Sequence, residues 1–313
     1  MIDPAVLFFA AGVAAKLVRS DLRLPEPLYE ALSLYLLLAL GLKGGVELSR
    51  HPLGELLAQS AAVAGMGVLL ALLAFAALLL LGRVKRDDAA SIAAHYGSVS
   101  VVTFAAGLAY LERKGVMAES YMALFVAILE IPGIVVGIML ARGGGGASVR
   151  WPALLREVLG GKSVFLLIAG LAIGAILGHD GVAPIRGLFF DLFRGVLCLF
   201  LLELGLVAGK HILAIHRTPA FLIGFALLAP LVFSVIGAAI GAAIGLSPGG
   251  IALLATLAAS ASYIAAPAAT RLAIPKADAG LSLSMVLGIT FPLNILAGIP
   301  LYYQMAAWIG KGT

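Results

Sequence analysis

Two Ser-x-Ser tripeptides, Ser98-Val99-Ser100 and Ser260-Ala261-Ser262, stand 162 residues apart inside otherwise apolar stretches. His95, Gly97 and Thr103 surround the first; Thr256, Tyr263 and Pro267 surround the second. Small and hydroxyl residues gathered in mid-segment allow a helix to open there, and Pro267 removes a backbone donor just beyond the second pair. An opened helix presents N–H groups at the N-terminus of one half, which favours an anion, and carbonyls at the C-terminus of the other, which favours a cation. Close helix packing also uses Ser, Gly and Ala. Duplication at matched positions favours the binding reading, because paired polar breaks in two halves of a hydrophobic chain are the mark of a transporter's site.

Glu130 lies near the middle of another apolar segment, two residues before Pro132, and Thr290 holds the matching position before Pro292. An unpaired carboxylate at that depth is expensive, so it should face a cavity and meet a cation, a proton or a polar group. Carboxylate, hydroxyl and freed carbonyls together suit a hard monovalent cation such as Na⁺; a structural hydrogen bond to a neighbouring helix is the plainer alternative. Lys43 and Glu47 are spaced as an i,i+4 interfacial pair. Asp191 and Arg194, with Glu203 deeper in the same span, read as mutually neutralising groups that brace a helix contact. His95 could relay protons or be held by hydrogen bonds within the bundle. Tyr302, Tyr303 and Trp308 read as an interfacial anchor.

The elements that must position these residues are membrane helices. The chain is 62% hydrophobic and 12% charged, with mean hydropathy +1.10, and that charged share is about half of a soluble domain's. Leu- and Ala-rich runs without alternation exclude a β-barrel and leave helices, which satisfy their own backbone in lipid. At roughly 20 residues per span there is room for about ten. The expected spans are 4–18, 26–48, 52–82, 87–112, 117–141, 161–179, 184–209, 218–246, 249–272 and 278–309. No cleavable signal peptide is evident, so the first stays as a helix.

A basic, Gly-rich linker at 142–158 divides the chain into residues 1–141 and 159–313, five spans each. The halves share features in one order. Phe8–Gly12 and Leu40–Gly45 correspond to Ile168–Gly174 and Leu204–Gly209; His51-Pro52 corresponds to Thr218-Pro219; the Ser pairs and the Glu130 and Thr290 segments follow. Five is odd, so the second half must start from the opposite side, giving an inverted repeat. Of the 21 Lys and Arg residues, 14 fall in loops on one side and six on the other, which places both termini outside the cytoplasm of a plasma (inner) membrane. The net charge of +5 is spread through short loops and reads as topology, not as a nucleic-acid surface. The lone Cys198 excludes an intramolecular disulfide. No enzyme constellation is present: no Cys/His metal spacing, no nucleotide-type phosphate loop and no His-Glu-x-x-His.

The stretches Gly41-Leu42-Lys43-Gly44-Gly45, Tyr96-Gly97-Ser98-Val99-Ser100, Leu111-Glu112, Glu130-Ile131-Pro132, Phe190-Asp191-Leu192-Phe193-Arg194-Gly195 and Ala258-Ala259-Ser260-Ala261-Ser262 with Ile274-Pro275 carry a resemblance over nearly the whole chain. At these residues the sequence resembles the sodium-dependent bicarbonate transporter family, the SbtA-like permeases. The resemblance implies ten spans in two inverted five-helix repeats, core and gate subdomains with an elevator-like or rocking movement, and a homotrimer that couples bicarbonate uptake to Na⁺ as coupling ion, with no enzymatic cofactor. It implies an anion site lined by Gly97, Ser98, Ser100, Thr103, Ser260 and Ser262 and a cation site at Glu130; the pattern of the residues themselves adds Tyr263 beside the anion and Thr290 and Ser262 beside the cation. A PII-like regulatory protein is the partner it implies, although no docking element for one is visible. The chain departs from the family pattern at Tyr263, where relatives carry Asp, and at Val101 and Val102, where they carry smaller or hydroxyl residues. Those departures open two further readings: the same scaffold carrying another small anion or carboxylate, with protons or without Na⁺, and a membrane receptor or regulatory subunit that binds without transporting.

Overall fold

The computed structural model describes residues 3–48, 53–143, 156 and 159–310, and among them there is no strand. The expected His51-Pro52 start of the third span and most of the 142–158 linker lie outside the described residues. The helices are α1 (Pro4–Leu17), α2 (Glu26–Leu48), α3 (Leu53–Ala76, extended by a π-turn to Leu81), α4 (Arg86–Tyr96), α5 (Val101–Arg113), α6 (Met122–Leu129) and α7 (Pro132–Arg142). They continue as α8 (Lys162–Gly181), α9 (Phe193–Ala214), α10 (Ala220–Ala243), α11 (Pro248–Ala258), α12 (Ala265–Ala273), α13 (Ala279–Met285) and α14 (Ile299–Ile309), the last two joined by π-turns and a short helix.

Eight helical runs among the described residues are long and apolar enough to cross a membrane, while α1 and α11 are shorter apolar helices of 14 and 11 residues. The differences from ten clean spans have local causes. The fourth run opens between Tyr96 and Val101 and the ninth between Ala258 and Ala265, at the two Ser-x-Ser motifs. The fifth starts only at Met122 and is interrupted at Glu130-Ile131, because Pro132 has no N–H to give the Ile128 carbonyl. The expected seventh span begins with 3₁₀ and π turns through Asp191 before α9 forms.

Helices α1, α2, α8 and α9 pack as one body, α2 along α8 and α1 along α9. Glycines set this spacing. A Cβ on Gly41 would meet the Leu167 carbonyl oxygen, Gly170 Cα and Leu171 N, and one on Gly205 would meet the Phe9 carbonyl oxygen, Gly12 Cα and Val13 N. The same backbone contact is thus built twice, with the roles of the two halves exchanged. The second body contains α3–α7 and α10–α14, in which α4 packs on α7 and α11 on both α10 and α14.

Candidate crossing of two broken helices

The two breaks meet inside the second body. Ser262 N donates to the His95 carbonyl (2.9 Å), and His95 Nδ1 lies 2.6 Å from the Ser262 carbonyl. A carbonyl only accepts, so the ring proton sits on Nδ1. Further along, Ser100 N donates to Ser260 Oγ at 2.9 Å. Residue 95 pairs with 262 and residue 100 with 260, so the two opened segments run antiparallel across each other.

Each break is closed by its second serine. Ser100 is the N-cap of α5 and accepts from Thr103 N (3.1 Å); Ser262 accepts from Ala266 N in the first turn of α12 (3.1 Å). Their oxygens are engaged; the Ser262 hydroxyl hydrogen has no acceptor among the described residues, and the Ser100 hydroxyl has the Tyr263 phenol beside it. The first serines spend theirs: Ser98 Oγ donates to the Glu130 carbonyl (3.2 Å) and Ser260 Oγ to the Leu257 carbonyl (2.7 Å). Of the four, Ser262 therefore has a hydroxyl hydrogen with no described acceptor and Ser100 has the Tyr263 phenol beside it, and the unbonded amides of the first turns of α5 and α12 stand with them.

Glu130 is 2% exposed and its Oε2 has no hydrogen-bond partner among the described residues; Thr103 Oγ1 and the Tyr263 hydroxyl share that condition. Tyr263 is 9% exposed, its ring meeting Phe291 edge-on at 5.5 Å. Gly97 and Gly133 bring the start of α7 onto the first break, so Glu130 and Ser98 lie on adjoining backbone. Thr290 is drawn elsewhere. Its hydroxyl donates to the Ala226 carbonyl (2.8 Å) and accepts from the Tyr96 hydroxyl (2.7 Å). Pro230, inside α10, cannot donate to Ala226, and Thr290 supplies the missing donor. No described hydrogen bond joins Thr290 to Glu130.

Asn294 escaped sequence reasoning. Fully buried, it donates from Nδ2 to the Ala259 carbonyl freed at the second break (2.9 Å) and accepts from the Tyr302 hydroxyl (2.7 Å). The signal was present, since it is the chain's only Asn and sits two residues after Pro292. Tyr302, read as an interfacial anchor, is buried and serves this bond. The expected i,i+3 neutralisation of Asp191 by Arg194 is replaced by a longer-range pair: Arg194 holds Glu112 at 3.0 Å, with Lys43 4.0 Å from the other oxygen.

Among the described residues no group of three or more His, Cys, Asp or Glu assembles. A cation here would rest on one carboxylate, hydroxyls and carbonyls, a hard oxygen set foreign to soft transition metals. The fold and the crossing define an all-helical, multi-pass membrane protein of transporter type. A model of the Na⁺-dependent bicarbonate transporter superfamily matches residues 4–307, and the chain belongs to that superfamily. A comparison with curated proteins finds no match.

Proposed function

We propose that this protein is a secondary transporter that carries bicarbonate into the cytoplasm together with Na⁺ by alternating access. The observation that carries the reading is the antiparallel crossing, where Ser100 and Ser262 stand at the starts of two helices and each caps a first-turn amide. The anion is held there by these hydroxyls, Thr103 and first-turn amides, with Gly97, Ser98, Ser260 and Tyr263 as its walls. The Glu130 carboxylate holds the cation, and Thr290 acts through Tyr96. In this reading the body of α1, α2, α8 and α9 is the gate and the other is the moving core. The exchanged glycine contacts and the paired breaks support an inverted repeat. The basic loops support an inner-membrane orientation with both termini outside. Exposed apolar side chains such as Phe165, Ile176 and Val232 suit lipid and the neighbours of a homotrimer, whose cytoplasmic face would receive a PII-like regulator.

Purified protein in liposomes should take up labelled bicarbonate only under an inward Na⁺ gradient, and Glu130→Gln and Ser262→Ala should each abolish uptake. Uptake unchanged by either substitution removes the site assignment, and saturable binding without any uptake identifies a receptor.

Tyr263 favours a second reading. A buried phenol stands where relatives carry a carboxylate, which leaves Glu130 as the one acid at the crossing. Coupling would then run through a proton on Glu130, or the cargo would be another small anion such as a carboxylate. Uptake of a substrate panel in Na⁺-free buffer at two pH values separates the readings.

A further inference from the structure

Uncapped backbone donors face a cavity a second time, at the start of α8. Gly160-Gly161-Lys162-Ser163 opens this 20-residue helix, and Gly161, its extended N-cap, offers no side-chain acceptor. The first intrahelical bond runs from Phe165 N to the Gly161 carbonyl, so the amides of Lys162, Ser163 and Val164 have no helical acceptor. These donors are not at an open surface: Val164 is fully buried and Ser163 is 3% exposed. They line a cavity of about 380 Å³, with Arg156 on the same side and Ile264, Ala265, Ala268 and Ala269 of the second body opposite. The Ser163 hydroxyl has no hydrogen-bond partner among the described residues.

The charged residues that line this cavity among the described ones, Arg156 and Lys162, are both basic, and the Glu30 carboxylate lies 3.0 Å from Lys162 Nζ. Both members of that pair are more than half exposed, so solvent screens their attraction and Lys162 remains free to turn toward the cavity. The helix dipole adds to the field of Lys162 and Arg156. Such a field repels a cation, and adjacent N–H groups beside a hydroxyl suit an anion with several acceptor oxygens.

We propose that this cavity is a second anion station, in which a small oxyanion of the transported kind is held by the first-turn amides of α8 and the Ser163 hydroxyl. The cavity wall runs along α12 from Ala269 back to Ile264, two residues from Ser262, so the station lies on the same chain segment as the second break. Only its place on a route rests on the transport reading; its occupancy is measured without transport.

Calorimetric titration of the full-length protein in detergent with bicarbonate should find two binding equivalents. Ser163→Asp, which sets a carboxylate among the amides, should remove one of them and leave the crossing filled. Lys162→Gln should weaken the same equivalent by up to about fivefold, the worth of one exposed charge pair, and Ser262→Ala should remove the other. The station is overturned if both α8 variants titrate like the parent, if the parent binds a single equivalent that Ser262→Ala removes, or if chloride at equal ionic strength competes as well as bicarbonate. Two equivalents in a protein that shows no uptake would sink the transport reading and leave the station standing.

Discussion

Gly133 touches the first break so closely that a Cβ there would fall 2.0 Å from the Gly97 carbonyl carbon and 2.5 Å from Ser98 N. Backbone cannot swing aside as a side-chain tip does, so Gly133→Ala should push α7 off the crossing. Overpacking of this kind costs about 1–3 kcal/mol; the expected outcome is a lowered melting temperature and lost uptake. Gly65→Ala, whose added methyl meets nothing within 4 Å, should leave both unchanged. Thr290 gives a sharper test. Thr290→Val keeps the shape but orphans the Ala226 carbonyl and the Tyr96 hydroxyl, at about 1–3 kcal/mol. In a Pro230→Ala background α10 can satisfy Ala226 itself, so the same substitution should cost clearly less in a double-mutant cycle read by thermal unfolding. The sequence showed which residue types gather at the breaks, since hydroxyls and prolines are rare in apolar runs. It could not show that Ser98 and Ser260 spend their hydrogens on carbonyls while Ser100 turns to the Tyr263 phenol. That division depends on which backbone atoms the crossing orphans.

At the scale of the element, α5 is held at both ends. Ser100 caps it at the crossing, and its last turn reaches the other body through Glu112 to Lys43 and Arg194 and through Arg113 to Asp3 at 3.0 Å. Three helices of that body, α1, α2 and α9, are thereby tied to one helix end. Partly exposed pairs are worth about 0.2–1 kcal/mol each, enough to shift an opening equilibrium without unfolding anything. Glu112→Gln should leave the melting temperature nearly unchanged and raise amide exchange in the last turn of α5 and the following loop by up to about fivefold. High salt should have the same effect on the parent and little on the variant. Helix existence was legible here and pairing was not: Asp191 and Arg194 share an i,i+3 spacing, yet the guanidinium turns to Glu112 on another helix. Interruptions at proline were half legible, because Pro132 and Pro292 each mark one, while nothing in the sequence says that the helix around Pro292 continues as π-turns over Val286–Thr290 and Asn294–Gly298.

Over the whole molecule, glycine-to-backbone contact glues α1, α2, α8 and α9 together, and the two bodies meet less intimately. If the bodies move against each other, joining them should stop uptake. Cysteines replacing Asp3 and Arg113 in a Cys198→Ala background should, when joined by a short reducible bifunctional thiol cross-linker, reduce bicarbonate uptake more than about tenfold, a barrier change near 1.4 kcal/mol or greater, and a reductant should restore it. Gly41→Val drives side-chain atoms into the Leu167 carbonyl, Gly170 and Leu171, so it should break up the four-helix body and abolish folding instead. The matched order of features in the two halves was legible in the sequence. The division into two bodies was not, because each body takes helices from both halves and no local pattern records that exchange.

The bonds between His95 and Ser262 and between Ser100 and Ser260 join the two breaks into a single piece. If the crossing is the seat proposed above, a single piece of this kind would keep its shape whichever side of the membrane it faced, and its intrinsic hold on the cargo would be the same at both faces. Such a device has no built-in direction. Liposomes loaded with labelled bicarbonate and Na⁺ and diluted into buffer lacking both should empty through the same protein that fills them, and the solutions alone decide which way it runs.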